Sequence, residues 1–116
     1  MTNAQTFHLF SATLREQVEI GALVSFVNDI DDGPMLVIRK PIGFIADRLA
    51  FESRSYSWLD NVISPEIDAF GMVLDGPVKK NNEPFWLLML STGERCWFKR
   101  NAFVCIIPRP QIHSNL

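Results

Sequence analysis

The side chains best able to do chemistry are Cys96, Cys105, His8, His113 and the carboxylates Asp60, Glu66, Asp68 and Asp75. Their spacing argues against each reaction in turn. The histidines stand at opposite ends of the chain, and the two cysteines belong to no paired Cys or His motif, so a four-ligand zinc site is not expected. A nucleophilic Cys or Ser needs a positioned base, and neither histidine is placed to be one. The carboxylates are a set that any acidic protein offers, without a spacing that marks a general acid and base. The six glycines fall in no dinucleotide-binding or phosphate-loop pattern. Asp29, Asp31 and Asp32 before Gly33 invite a calcium reading, but the alternating ligands and terminal Glu of a calcium loop are not all present, and a solvated acidic turn fits better. No metal, no cofactor and no enzymatic activity are expected.

The remaining chemistry is that of binding. Residues 1–75 carry five basic and eleven acidic groups, a balance of −6, whereas residues 76–116 carry six basic and two acidic, a balance of +4. Two halves that fold together and neutralise one another account for this. That is the commoner case, since charge runs are usually solvated faces; the sharper reading is a basic patch of Lys79, Lys80, Arg95, Lys99 and Arg100 beside Trp97, facing an anionic partner. Trp97 shares a face with Arg95 and Lys99, whose charges belong in water, so its indole either packs beneath their stems or presents a contact surface. Phe7 and Phe10, near the N-terminus, are the other candidate partner-binding residues.

Composition sets the frame for both. One hundred and sixteen residues make a single domain, and 47% hydrophobic with 21% charged residues is globular. A net charge of −2 gives the whole molecule no general attraction to polyanions. No basic stretch followed by an apolar core opens the chain, so no secretion signal is expected and the cysteines are expected as thiols, buried as small core residues. The longest apolar run is far short of the ~18 residues of a membrane span. A soluble domain that binds no membrane is expected.

The stretch that organises the chain is Phe85–Ile107, FWLLMLSTGERCWFKRNAFVCII. Phe85–Leu90 is continuously apolar between turn formers and too short for a buried helix of about 10 residues, so it reads as a strand. Thr92-Gly93 supplies the reversal, because Gly accepts the positive φ of a tight turn. Arg95–Lys99 alternates as a strand, Asn101-Ala102 interrupts, and Phe103–Ile107 resumes until Pro108 and Pro110 stop pairing. Three such strands form a sheet able to bury one face.

Earlier in the chain, residues 1–17 form either a helix, with Phe7, Phe10, Leu14 and Val18 on one stripe and Asn3 as cap, or an extended arm laid on a neighbour. Val18–Val27 reads as a strand, residues 28–34 as a turn and Met35–Arg39 as a strand. Residues 42–63 read as one or two short helices, the second capped by Ser57 with Asp60 in its first turn and stopped by Ser64-Pro65. Phe70–Leu74 is a strand, Asp75-Gly76-Pro77 its turn, and Val78–Glu83 a polar hairpin tip. Residues 108–116 form a polar tail.

The order Trp86-x-Leu88-x-Leu90, Gly93-Glu94, Trp97, then Phe103 and Ile106 resembles the second half of a Src-homology-3-like barrel of the kind found in small phage-encoded proteins. Gly71–Asp75 then stands where such barrels keep the preceding strand, and Gly21–Val27 where they keep the first. The likeness covers about half the chain, and the segment between Asn28 and Asp68 is far longer than the usual first loop. It implies a mainly β fold: a small barrel of about five strands over residues 18–107, with a helical insertion at 42–63. It also implies a non-enzymatic protein–protein or structural module docking to a larger assembly or to itself, in the cytoplasm (of the host cell if phage-encoded) or on a virion. The alternative is a nucleic-acid-binding barrel using Trp97 for stacking and the C-terminal cations for phosphates, which the acidic total disfavours. An inhibitor or host-directed effector is a third reading that sequence does not separate from the first.

Overall fold

A computed structural model of the chain describes residues 18–107; the expected N-terminal helix or arm, with Phe7 and Phe10, and the expected tail lie outside these. The described part is mainly β. In chain order its elements are β1 (Leu23–Phe26), β2 (Asp29–Asp32), β3 (Leu36–Arg39), β4 (Gly43–Ile45), helix α1 (Arg48–Glu52), β5 (Val62–Ile63), β6 (Phe70–Lys80), β7 (Glu83–Leu90), β8 (Arg95–Lys99), a 3₁₀ turn (Arg100–Ala102) and β9 (Phe103–Ile107). Seven strands form one antiparallel sheet in the order β5-β4-β8-β7-β6-β1-β9, while β2 and β3 pair only with each other.

The expected central hairpin is present. The β7 strand runs antiparallel to β8 from Phe85↔Lys99 to Met89↔Arg95, and Gly93 turns the chain at φ +92. The expected return strand is not beside β8. Three strands, β7, β6 and β1, separate β9 from it, because the 3₁₀ turn carries the chain across to pair with β1 at the far edge. Cys96 and Cys105 therefore stand on strands that are not neighbours.

The β6 strand is longer than expected. Asp75-Gly76-Pro77 does not end it; register shifts between Val73 and Asp75 and between Asp75 and Val78 absorb these residues as an irregularity. Pro77 has no N–H to give the ladder, and sheet prolines are confined to edges and bulges for that reason. Gly76, at φ +122, lies so close to β7 that a Cβ there would sit 2.9 Å from the Phe85 carbonyl. The turn proper is Asn81-Asn82, both at positive φ (53° and 67°), the conformation a two-residue hairpin loop requires.

The sheet bends sharply and buries two cores, one on each face. The β1 and β8 strands are three places apart, roughly 14 Å in a flat sheet, yet the rings of Phe26 and Phe98 meet at 4.7 Å between centroids. The first core, Val24, Phe26, Val73, Leu88, Cys96, Phe98 and Phe103, fills the hollow of this bend. The bend does not close the sheet into a barrel, because its edges are β5 and β9. The second core holds Val78, Phe85, Leu87 and Trp97, covered by Phe51, with Phe44, Tyr56 and Trp58 packed against it.

The cover comes from residues 42–63, expected as one or two short helices; one helix of five residues is present, flanked by the short strands β4 and β5. Asp47 caps α1 by accepting from the Ala50 N–H at 2.8 Å. No second helix follows: the Ser57 hydroxyl donates to Asp60 at 3.0 Å, the Asn61 side chain donates to the Ser57 carbonyl, and β-branched Val62-Ile63 extend the sheet against Gly43-Phe44.

Candidate functional site: an uncovered hairpin and the cleft at its base

The segment expected as an acidic turn followed by a strand is a complete hairpin, β2 and β3. Its register pairs Asp29 with Arg39, Ile30 with Ile38, Asp31 with Val37 and Asp32 with Leu36. Directly opposed residues share a face, and faces alternate along each strand. One face thus carries Ile30, Leu36 and Ile38 with Asp32; the other carries Asp29, Asp31, Arg39 and Val37. Such alternation belongs to a sheet with one packed and one solvated face. Here the apolar face is not packed: Ile30, Leu36 and Ile38 are 61%, 66% and 59% exposed, and Met35 at the turn is 77% exposed. The polar face is ordinary by comparison, with an Asp31–Arg39 pair at 3.9 Å that water screens.

At its base the hairpin meets the main sheet. A cleft of about 150 Å³ opens between Arg39, Lys40 and Pro41 on one side and Phe44, Lys99 and Asn101 on the other. Small-molecule sites usually run to about 300 Å³ or more, so this cleft suits one inserted side chain better than a cofactor. Phe44 and Lys99 also line an adjoining open groove with Trp58, Glu83 and Phe85. Lys99 Nζ lies 3.2 Å from the Glu83 carboxylate and 5.9 Å from the centre of the Phe85 ring.

The residues singled out from sequence do not form one patch. Trp97 was expected on an outer face with Arg95 and Lys99, and that placement is corrected: the indole is fully buried, and its N–H donates to the Ala46 carbonyl at 3.0 Å. The strand does alternate, but the face taken for an outer one is roofed by residues 42–63. Lys80 turns inward as well. Its ammonium donates to the Phe51 and Ser53 carbonyls at the end of α1 and lies 5.4, 5.5 and 5.9 Å from the ring centres of Phe51, Tyr56 and Trp58. Arg100 donates to the Phe103 carbonyl at 2.7 Å and stacks over that ring. Lys79 and Arg95 are exposed. Phe7 and Phe10 lie outside the described residues.

Reactive side chains are held quiet. Burial first, and then the nearby Glu94 charge, push the Cys96 thiol up to about 12, which keeps it protonated and a poor nucleophile. Arg48 donates to Glu52 at 3.0 Å and to Asp75 at 3.3 Å, and these partners, Glu52 foremost, raise its pKa. Among the described residues no three His, Cys, Asp or Glu side chains gather to hold a metal ion, and no helix is long and apolar enough to cross a membrane.

The hairpin was missed because Asp29, Asp31 and Asp32 suggest a turn by composition. The pairing signal was present in Ile30 and the alternating Leu36-Val37-Ile38, flanking a Gly33-Pro34 reversal. No family model matches the chain, and no curated protein or solved structure matches it.

Proposed function

We propose that this chain is a non-enzymatic protein–protein docking module whose working surface is the apolar face of the β2–β3 hairpin. The observation that carries the reading is that Ile30, Leu36 and Ile38 share one face of a regular hairpin and stand more than half exposed. A two-stranded hairpin alone is marginal in water, and a clustered, uncovered apolar face is the usual mark of a contact surface. The side-chain-sized cleft at its base would accept an anchoring residue of the partner.

The core that presents the hairpin we read as Src-homology-3-like. The supporting features are the order β9-β1-β6-β7-β8 and the 3₁₀ turn between the last two strands in sequence; the long excursion between β1 and β6, which holds both hairpin and roof, departs from that pattern. A nucleic-acid role would need an accessible indole at Trp97 and free cations at Lys80 and Lys99, whereas the first is buried and the other two are engaged.

The test is affinity capture with the wild-type chain beside an Ile30→Asp/Ile38→Asp variant of equal thermal stability. Proteins retained by the first and lost by the second support the reading; retention unchanged by the variant refutes it.

A further inference from the structure

The hairpin has two outer edges of opposite character, and this points to a partner. The free edge of β2 carries Asp29, Asp31 and Asp32, the charged guard by which edge strands avoid pairing. The free edge of β3 carries charge only at its last residue, Arg39: Leu36, Val37 and Ile38, with Met35 before them, are uncharged, and all four are exposed. The main sheet offers less. Its edge strand β5 has two residues, and β9 is bent by a register shift opposite Leu23 and Val24 and is fixed to the core by the fully buried Phe103. No shift interrupts the β2–β3 register.

We propose that the partner is a second copy of this chain, added antiparallel along the edge of β3 to make a four-stranded sheet. The inference rests on the reading of the hairpin as a docking surface. Side-chain parity selects the register, since opposed residues must share a face. Setting Val37 against the partner's Val37 places Leu36 against the partner's Ile38 and Arg39 against the partner's Met35. No like charges meet. The two apolar faces merge, so Ile30, Leu36 and Ile38 of each copy line one continuous surface. Pairing through β2 instead would set aspartate against aspartate in every overlapping two-fold register, which is destabilising. The two-fold arrangement also closes on itself and leaves the acidic β2 edges outside, where they stop further growth.

Sedimentation equilibrium across the micromolar range tests this, with Val37→Lys as the discriminating variant. Within one copy the new ammonium faces Asp31 and leaves the hairpin intact; across the two-fold axis it faces its own copy. The expected result is twice the chain mass for the wild type at high concentration and the single-chain mass for Val37→Lys. A Val37→Cys chain in a Cys105→Ser background should form a disulfide-linked dimer with oxidised glutathione, and an Asp31→Cys control should not. A wild type of single-chain mass throughout, or a dimer that Val37→Lys leaves intact, would overturn the proposal. Single-chain mass together with capture abolished by Ile30→Asp/Ile38→Asp would overturn the second copy as partner and retain the docking reading.

Discussion

Phe51 lies face to face on Trp97, with ring centroids 4.7 Å apart and planes 7° from parallel. This contact joins the one helix among the described residues to the centre of the sheet and makes β8 a strand buried on both sides. Phe51 also meets Tyr56, Trp58 and Phe85 edge-on. Removing it leaves a large hole between the roof and the sheet, at the centre of the second core. Phe51→Ala should cost about 3–5 kcal/mol, measured from urea unfolding followed by tryptophan emission.

Lys80 is a structural cation. Its ammonium closes the end of α1 on two carbonyls amid three aromatic rings. Lys80→Met keeps the apolar stem and loses the charge-assisted bonds, at about 1.5–3 kcal/mol. The neighbouring Lys79 is exposed, and Lys79→Met should change stability by no more than about 0.5 kcal/mol. Denaturant midpoints of the two variants check the contrast.

How much of this was legible in sequence depended on whether the signal was local. Apolar runs bounded by turn formers located β7 and β8, and the pairing of Phe85–Leu90 with Arg95–Lys99 followed from Gly93. Alternation correctly placed Trp97 and Phe98 on opposite faces, but periodicity does not say that a distant segment roofs the second face. That roof depends on Phe51, some 46 residues before Trp97. The destination of β9 was equally non-local, since the 3₁₀ turn sends it to β1 and not to β8. In the candidate site, Met35–Arg39 read as a strand, yet its partner β2 was hidden by aspartates that mark a turn by composition and here guard an edge. Lys80 and Lys99 were visible as charges; the groups that engage them were not.

Alkaline stability should follow two buried acids. Burial, the larger cause, and the nearby Cys96 raise the Tyr56 phenol from 10.0 to about 12, and its hydroxyl has no hydrogen-bond partner among the described residues. Burial raises the Cys96 thiol from 9.0 to about 12. The folded chain therefore holds protons that the unfolded chain releases earlier. The contribution of both groups is whole below about pH 9 and is lost as pH rises toward about 12. Tyr56 is the only tyrosine, so the ultraviolet phenolate band reports it alone. That band should appear together with loss of native tryptophan emission, well above the ordinary phenol pKa.

Cys96 should resist iodoacetamide at neutral pH. Its labelling should proceed only as fast as the chain opens and accelerate in step with added urea, as mass spectrometry of timed samples would show. Prompt labelling of Cys96 in the native protein would mean that the hollow of the sheet is open to solvent.

Amide hydrogen exchange on dilute protein tests the uncovered hairpin most directly. The account expects residues 30–38 to exchange far faster than Phe85–Leu90 of β7, and to slow when concentration or a captured partner covers them. Hairpin amides as slow as those of β7 in the dilute, single-chain state would show that the apolar face is already covered, and would contradict it.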